Sequence, residues 1–223
     1  MNRLLALVAS LLLASTVAAA PYGMHDLRLI LTTTDTPQGK KHGLDTAYLE
    51  RVLADLAAHA QSYPPRFDTP QDKERATQDA TTLAGMLGMI VNGPNPHPEL
   101  LLRAAQVNSM GHNLDIPGAA EKADALFKQL LATAPDHQRG RFVYGVFLAS
   151  SARAELALPH LEKAAAAGIV DAAYALGMTH LSLGDTAKAL TALEDYKRRR
   201  PSDTQVDKLI EAIRNGKVQI NKR

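Results

Sequence analysis

The C-terminal half of this chain is repetitive, because the same residue types return after 34 and then 32 residues. The recurring positions are small glycines at Gly111, Gly145 and Gly177, alanines at Ala123, Ala157 and Ala189, and large apolar residues at Phe127, Leu161 and Leu193. A period of this length indicates a supersecondary unit that buries its apolar face only by stacking against neighbouring units. The sequence therefore predicts a solenoid.

Helix packing gives a physical reason for the pattern. Glycine or alanine at a helix crossing lets two backbones approach, while a large apolar residue fills the space between layers. The composition agrees, since 46% of the residues are hydrophobic, only 4% are aromatic and there is no tryptophan. Such a chain packs helices through small residues.

The third unit carries the most specific motif. Its small, turn, apolar and terminating residues are Leu176, Gly177, Leu183, Gly184, Asp185, Ala189, Leu193 and Pro201. This arrangement resembles the tetratricopeptide repeat, and the resemblance covers roughly residues 104–203. The second unit lacks the closing proline, and its shortened link through Gly168 is similar to Sel1-like repeats.

The resemblance implies an all-α fold, a right-handed α-α superhelix built from antiparallel helix pairs. Three such pairs are expected over residues 96–203. Residues 204–223 are expected to form a capping helix and a basic tail, because Ser202 to Gln205 read as a capping box.

The N-terminus has the layout of a secretory signal peptide over residues 1–19. Arg3 supplies a positive charge, residues 4–13 are apolar and residues 14–20 are small and neutral. Cleavage after Ala19 is expected, which predicts a periplasmic or secreted protein; the alternative is an uncleaved anchor. No later apolar run is long enough to span a bilayer.

The next segment, residues 20–43, is predicted to be an extended arm with a short strand near residues 27–31. A lone strand finds no partner in the rest of the sequence, so we expect it to pack along helices or to pair with another molecule. Residues 44–95 are predicted to form an antiparallel helix pair, its helices beginning after Asp45 and Thr69.

The resemblance also implies a binding site, because the first helix of each pair in the family lines a concave groove that holds a peptide or a partner's helix. The corresponding positions are Asn108, His112, Asp115, Phe142, Val146, Ala149, Tyr174, Met178 and Leu181. This groove is expected to be polar at one end and apolar, with two aromatic residues, at the other. The alternative is that Phe142, Tyr174 and Met178 are core residues.

Other chemistry receives less support. No histidine pair has zinc-hydrolase spacing, His112 and Asp115 being the nearest metal candidates, so neither a metal nor another cofactor is expected. Residues 197–200 are a basic run that suits a helix C-terminus or contacts phosphate or lipid. A net charge of +2 gives no argument for nucleic acid.

No catalytic motif is present, so the chain is predicted not to be an enzyme. The sequence favours an exported adaptor that binds a protein or peptide partner in envelope assembly or secretion. Two alternatives remain open: an envelope hydrolase with an unrecognised site, and a structural subunit that joins others through residues 21–43.

Overall fold

A computed structural model describes residues 21–218 of the chain, and these residues are mostly helical. The α-helices within them are α1 (Thr46–Ala60), α2 (Pro70–Val91), α3 (Pro98–Asn113), α4 (Ala119–Thr133), α5 (Gln138–Ser150), α6 (Ala154–Ala166), α7 (Val170–Ser182), α8 (Thr186–Arg199) and α9 (Thr204–Arg214). This confirms the predicted all-α solenoid. The predicted signal peptide, residues 1–19, and the last five residues of the basic tail lie outside the described residues.

Three close helix pairs form the C-terminal part: α3 with α4, α5 with α6, and α7 with α8. The turns inside the second and third pairs are three residues long, whereas the first turn has five residues, 114–118. Within residues 21–218, every helix falls short of the combination of length and apolar character that a bilayer span requires.

In the second and third pairs, the two helices cross at a glycine, as the repeat predicts. A Cβ atom placed on Gly177 would lie 2.7 Å from Leu193 Cγ, and one on Gly145 would lie 2.7 Å from Leu161 Cγ. Normal carbon contacts are about 3.5–4.0 Å, so only glycine fits at either position without displacing the leucine.

The first pair departs from this register. A Cβ atom on Gly111 would meet Ala119 Cβ at 3.3 Å and Ile116 Cδ1 at 3.4 Å, not the large residue of α4. The longer turn explains the difference, because it leaves Gly111 in the last turn of α3, two residues before the helix ends at Asn113.

Helix α9 closes the array. Asp203 caps it by accepting hydrogen bonds from the backbone N–H groups of Gln205 and Val206. Its apolar face buries Val206, Ile210 and Ile213 in the core cluster of the last pair. A terminal helix with one buried face and one polar face is what the exposed end of a solenoid requires.

The N-terminal segment, residues 21–30, lies between α1 and α2. Gly23 donates its N–H to Asp55 Oδ2 of α1 at 2.8 Å, and the Tyr22 hydroxyl donates to Asp79 Oδ2 of α2 at 2.9 Å. Arg75 of α2 donates to the Tyr22 carbonyl at 2.9 Å. With this segment inserted, α1 and α2 share few close backbone contacts, and both helices pack against α3 and residues 27–30 instead.

The predicted extended arm is in fact a hairpin. A short 3-10 helix (Leu27–Ile30) is followed by strand β1 (Leu31–Thr36) and strand β2 (Gly39–Leu44), which pair antiparallel. Gly39 has a φ of 115°, which allows the tight turn after Pro37. The expectation that the strand lacks a partner within the chain was therefore wrong. The strand was predicted near residues 27–31, whereas β1 begins at Leu31.

Candidate functional site

A groove of about 840 Å³ runs along the last two pairs, bordered by α5, α7 and the first half of α9. These helices present one face each toward the groove, because their lining residues recur at the three- and four-residue spacing of a helix. The lining residues are Phe142, Val146, Ala149, Ser150, Asp171, Tyr174, Ala175, Met178, Thr179, Ser182, Tyr196, Asp203, Gln205, Val206 and Leu209.

Two of the apolar lining side chains are exposed. Tyr174 is 39% exposed and Met178 is 37% exposed, and the Tyr174 ring lies 5.3 Å from the ring of the buried Tyr196. Phe142 is half-buried and packs against both apolar clusters of the solenoid. The alternative that these residues are core therefore holds in part for Phe142, while Tyr174 and Met178 belong to the surface.

Hydrogen bonds fix the side of the groove formed by α8 and α9. The Tyr196 hydroxyl donates to Asp203 Oδ2 at 2.8 Å. That hydrogen bond, together with the backbone N–H donors of Gln205 and Val206, lowers the pKa of Asp203 below its ordinary value, and the same contact raises the pKa of Tyr196. A carboxylate fully engaged in this way orients Tyr196 and caps α9.

The other acidic lining residue is also engaged. Asp171 Oδ1 lies 3.1 Å from Arg200, whose guanidinium is 5.7 Å from the centre of the Tyr196 ring. The two lining residues that carry formal charge are thus both paired within the protein. The groove offers a ligand mainly apolar side chains and hydroxyl groups.

Five of the nine residues predicted for the groove line it: Phe142, Val146, Ala149, Tyr174 and Met178. Two other predicted residues are buried and do not line the groove. Leu181 lies in the apolar cluster of the last pair. Asn108 is a buried residue of α3, and its side-chain amide donates a hydrogen bond from Nδ2 to the Ala104 carbonyl at 2.8 Å.

The last two predicted residues face other surfaces. His112 lies 6.3 Å from the Phe147 ring and borders a separate cavity of about 460 Å³ near the start of α4. Asp115, at φ 62° in the turn after α3, has its Oδ2 atom 3.7 Å from Lys73 Nζ. The polar end predicted for the groove is therefore absent, because the longer first turn changes the register of the first pair.

The cavity beside His112 contains a structural polar centre at Asp124. Tyr144 donates its hydroxyl to Asp124 Oδ1 at 2.9 Å, Arg153 donates at 2.7 Å, and Lys128 Nζ lies 2.7 Å from Oδ2. Burial opposes ionisation of this carboxyl group, but the three donors outweigh burial and lower the pKa of Asp124. These bonds join α4 to α5 and to the turn after it.

Sequence reasoning missed the lining residues on α8 and α9. Asp171 and Ser182 of α7 could have been found, since they share the helical face of Tyr174 and Met178. The sequence shows no such pattern for Tyr196 of α8. Val206 and Leu209 were missed because the capping helix was expected to cover the last pair rather than to border a groove.

Each residue of the basic run at the end of α8 contacts a carboxylate. Lys197 Nζ lies 2.5 Å from Asp207, Arg198 and Arg199 contact Asp195, and Arg200 contacts Asp171. This favours the helix-terminus interpretation over an anion-binding one. Among residues 21–218, no cluster of three histidine or acidic side chains has a geometry that could hold a metal ion.

Solved structures with the same helical arrangement are known. One structure of MamA aligns with a TM-score of 0.55 at 22% identity, covering 67% of this chain and 85% of MamA. TTC0263, a thermophilic TPR protein of Thermus thermophilus, aligns with a TM-score of 0.53 at 16% identity, covering 76% of this chain and 94% of TTC0263. The chain has the tetratricopeptide repeat fold.

A third solved structure extends the comparison to a protein with a described site. YrrB, a TPR protein with an unusual peptide-binding site, aligns with a TM-score of 0.51 at 18% identity, covering 74% of this chain and 84% of YrrB. Neither a protein-family model nor a curated protein matches the sequence. At these identities the likeness establishes the fold of the repeat region, and function must be argued from the groove.

Proposed function

We propose that this chain is an adaptor that binds an apolar segment of a partner protein in the groove between α5, α7 and α9. The observation that carries the proposal is the exposure of Tyr174 and Met178 in a concave surface whose other apolar residues are half-buried or buried. Concave, mostly apolar surfaces with a few polar groups are the usual form of binding sites.

The chemistry of the groove defines the partner. Asp171 and Asp203 are both engaged within the protein, so affinity comes chiefly from apolar contact. Each large apolar side chain that a ligand buries contributes about 1.5–3 kcal/mol before the cost of ordering is subtracted. A segment with two or three such side chains fits this site, and the peptide-binding site of YrrB supports the same mode of use.

The test begins with a peptide-display selection on the purified protein, followed by calorimetry with a selected synthetic peptide. We expect the Tyr174→Ala variant to bind at least tenfold more weakly, a loss of about 1.4 kcal/mol. Met89→Ala is the matched control, because Met89 is an exposed apolar residue on α2, away from the groove. Equal affinity for the wild type and the Tyr174 variant would contradict the proposal.

We also propose that the adaptor works outside the cytoplasm, in envelope assembly or secretion. The charge, apolar run and small residues over positions 1–20 support export. The mass of the protein purified from the cell envelope tests this proposal. We expect a chain that begins at Ala20; recovery of only the full-length chain from the cytoplasm contradicts export.

A further inference from the structure

The hairpin extends away from the solenoid. Apart from the ends of the two strands, its residues are exposed, and in the part of the chain that the structure describes the sheet consists of β1 and β2. Each strand therefore has one edge without a backbone partner among residues 21–218. A two-stranded hairpin is marginally stable in water unless a third strand or a helix packs against it.

The two free edges differ in chemistry. Strand β2 carries the exposed Lys40 and Lys41, and Lys40 lies opposite Asp35 of β1. Lysines of this kind protect an edge from pairing with another chain. Strand β1 carries three successive threonines, Thr32 to Thr34, with Asp35 near the tip. Threonine favours strands and pairs well with threonine across a sheet.

Apolar side chains are also exposed where the hairpin joins the solenoid. Met24 is 89% exposed, Leu29 is 57% exposed and Leu31 is 54% exposed. The base of the hairpin is nevertheless fixed, because Leu27 and Ile30 are buried and Asp45 donates its N–H to the Ile30 carbonyl at 2.9 Å. Exposed apolar residues beside a rigidly held, unprotected edge indicate an interface.

We propose that β1 pairs antiparallel with β1 of a second copy of this chain, forming a four-stranded sheet about a two-fold axis. The arrangement is closed, because the same edge is used by both copies, so it yields a dimer. It also keeps the lysines of β2 on the outer edges of the sheet, where they block further pairing.

Charge favours this pairing over one between the two β2 edges. With Thr33 at the two-fold axis, Asp35 of one copy lies opposite Leu31 of the other. The two Asp35 residues are then four residues apart, about 14 Å, which exceeds the screening length of about 10 Å in 0.1 M salt. Pairing through β2 would instead bring four lysines together, and like charges opposite one another destabilise a sheet.

A charge-exchange experiment on the full mature protein tests the proposal. We expect the wild type to be a dimer by light scattering at tens of micromolar, and Thr33→Lys and Thr33→Glu each to be monomeric. An equimolar mixture of the two variants should recover the dimer. Both variants lose the contact of Thr33 Oγ1 with His42 Nδ1, 3.1 Å in the wild type, so recovery on mixing separates pairing from damage to the hairpin.

The control is Thr81→Lys, which adds the same charge at an exposed site on α2 and should leave the dimer intact. Because the chain has no cysteine, Thr33→Cys gives a second measurement. Residues opposite one another across antiparallel strands have Cα atoms about 4.5–5.5 Å apart, within disulfide range. We expect a covalent dimer under mild oxidation. A monomeric wild type, dimeric charge variants or long polymers would each overturn the proposal.

Discussion

Replacing Gly177 by alanine adds one methyl group at the crossing of α7 and α8, and we expect this to destabilise the protein. The added Cβ would lie 2.7 Å from Leu193 Cγ, 2.9 Å from Leu193 Cδ2 and 3.2 Å from the Ala189 carbonyl oxygen. Leu193 Cγ is a branch point rather than a flexible end, so the overlap cannot be relieved by turning a terminal group.

Two opposing terms set the magnitude. Overpacking a close contact of this kind costs about 1–3 kcal/mol, whereas alanine is better than glycine inside a helix by about 0.5–1 kcal/mol. The expected net loss is therefore about 0–2.5 kcal/mol in the free energy of unfolding. Leu193→Ala removes the obstructing side chain and leaves the 3.2 Å contact with the Ala189 carbonyl oxygen, so in that background the Gly177→Ala change should cost less than it does in the wild type.

Urea unfolding of the four proteins in this cycle measures the coupling, which we expect to be about 1–3 kcal/mol. The control is Gly85→Ala on α2, where a Cβ atom has no neighbour within 4 Å and the change should stabilise by about 0.5–1 kcal/mol. If Gly177→Ala stabilises the protein as much as Gly85→Ala does, the crossing has room for a side chain and the packing argument fails.

Three further changes probe contacts outside the crossing, each measured by urea unfolding. Asp203→Ala removes the cap of α9 and should cost about 0.5–2 kcal/mol; no loss would mean that the cap is dispensable. Tyr22→Phe leaves Asp79 without its hydroxyl donor and should cost about 1–3 kcal/mol; an unchanged midpoint would contradict this role. The pKa of Asp124 is lowered because its three donors outweigh burial. The ionised carboxylate therefore stabilises the fold at pH values above the ordinary carboxyl pKa of about 4. This stabilisation is lost as the pH falls through the lowered pKa of Asp124. Asp124→Asn should therefore be less stable than the wild type at pH 7, with the difference disappearing in acid, and a difference that is independent of pH would refute the assignment.

The repeat region could be predicted because its determinants are local and periodic. Gly145 and Leu161 are sixteen residues apart, as are Gly177 and Leu193, and in both cases the structure brings them into contact. The same spacing failed for Gly111, because two extra residues in a turn change which side chains meet. A periodic sequence pattern does not report the length of the turn that interrupts it.

In the N-terminal part, the starts of α1 and α2 after Asp45 and Thr69 were predicted correctly, but the packing of this part could not be predicted, for a different reason. Tyr22 is held by Asp79, 57 residues further along the chain, and Gly23 is held by Asp55, 32 residues further along. Contacts of such long range leave no periodic trace in one sequence. The groove was predicted in part, because Tyr174 and Met178 are four residues apart and share one face of α7. Tyr196 could not be predicted, because its hydrogen bond to Asp203 holds it beside the groove.

Helix α9 both ends the solenoid and forms one wall of the groove through Val206 and Leu209. Under the proposed function, the number of repeats and the ligand that the groove selects are consequently linked. Insertion of another helix pair at Pro201 would place the first helix of the new pair, instead of α9, beside Tyr174. If the groove binds as proposed, a change in the number of repeats at this point would change the ligand without any substitution in helices α1 to α8.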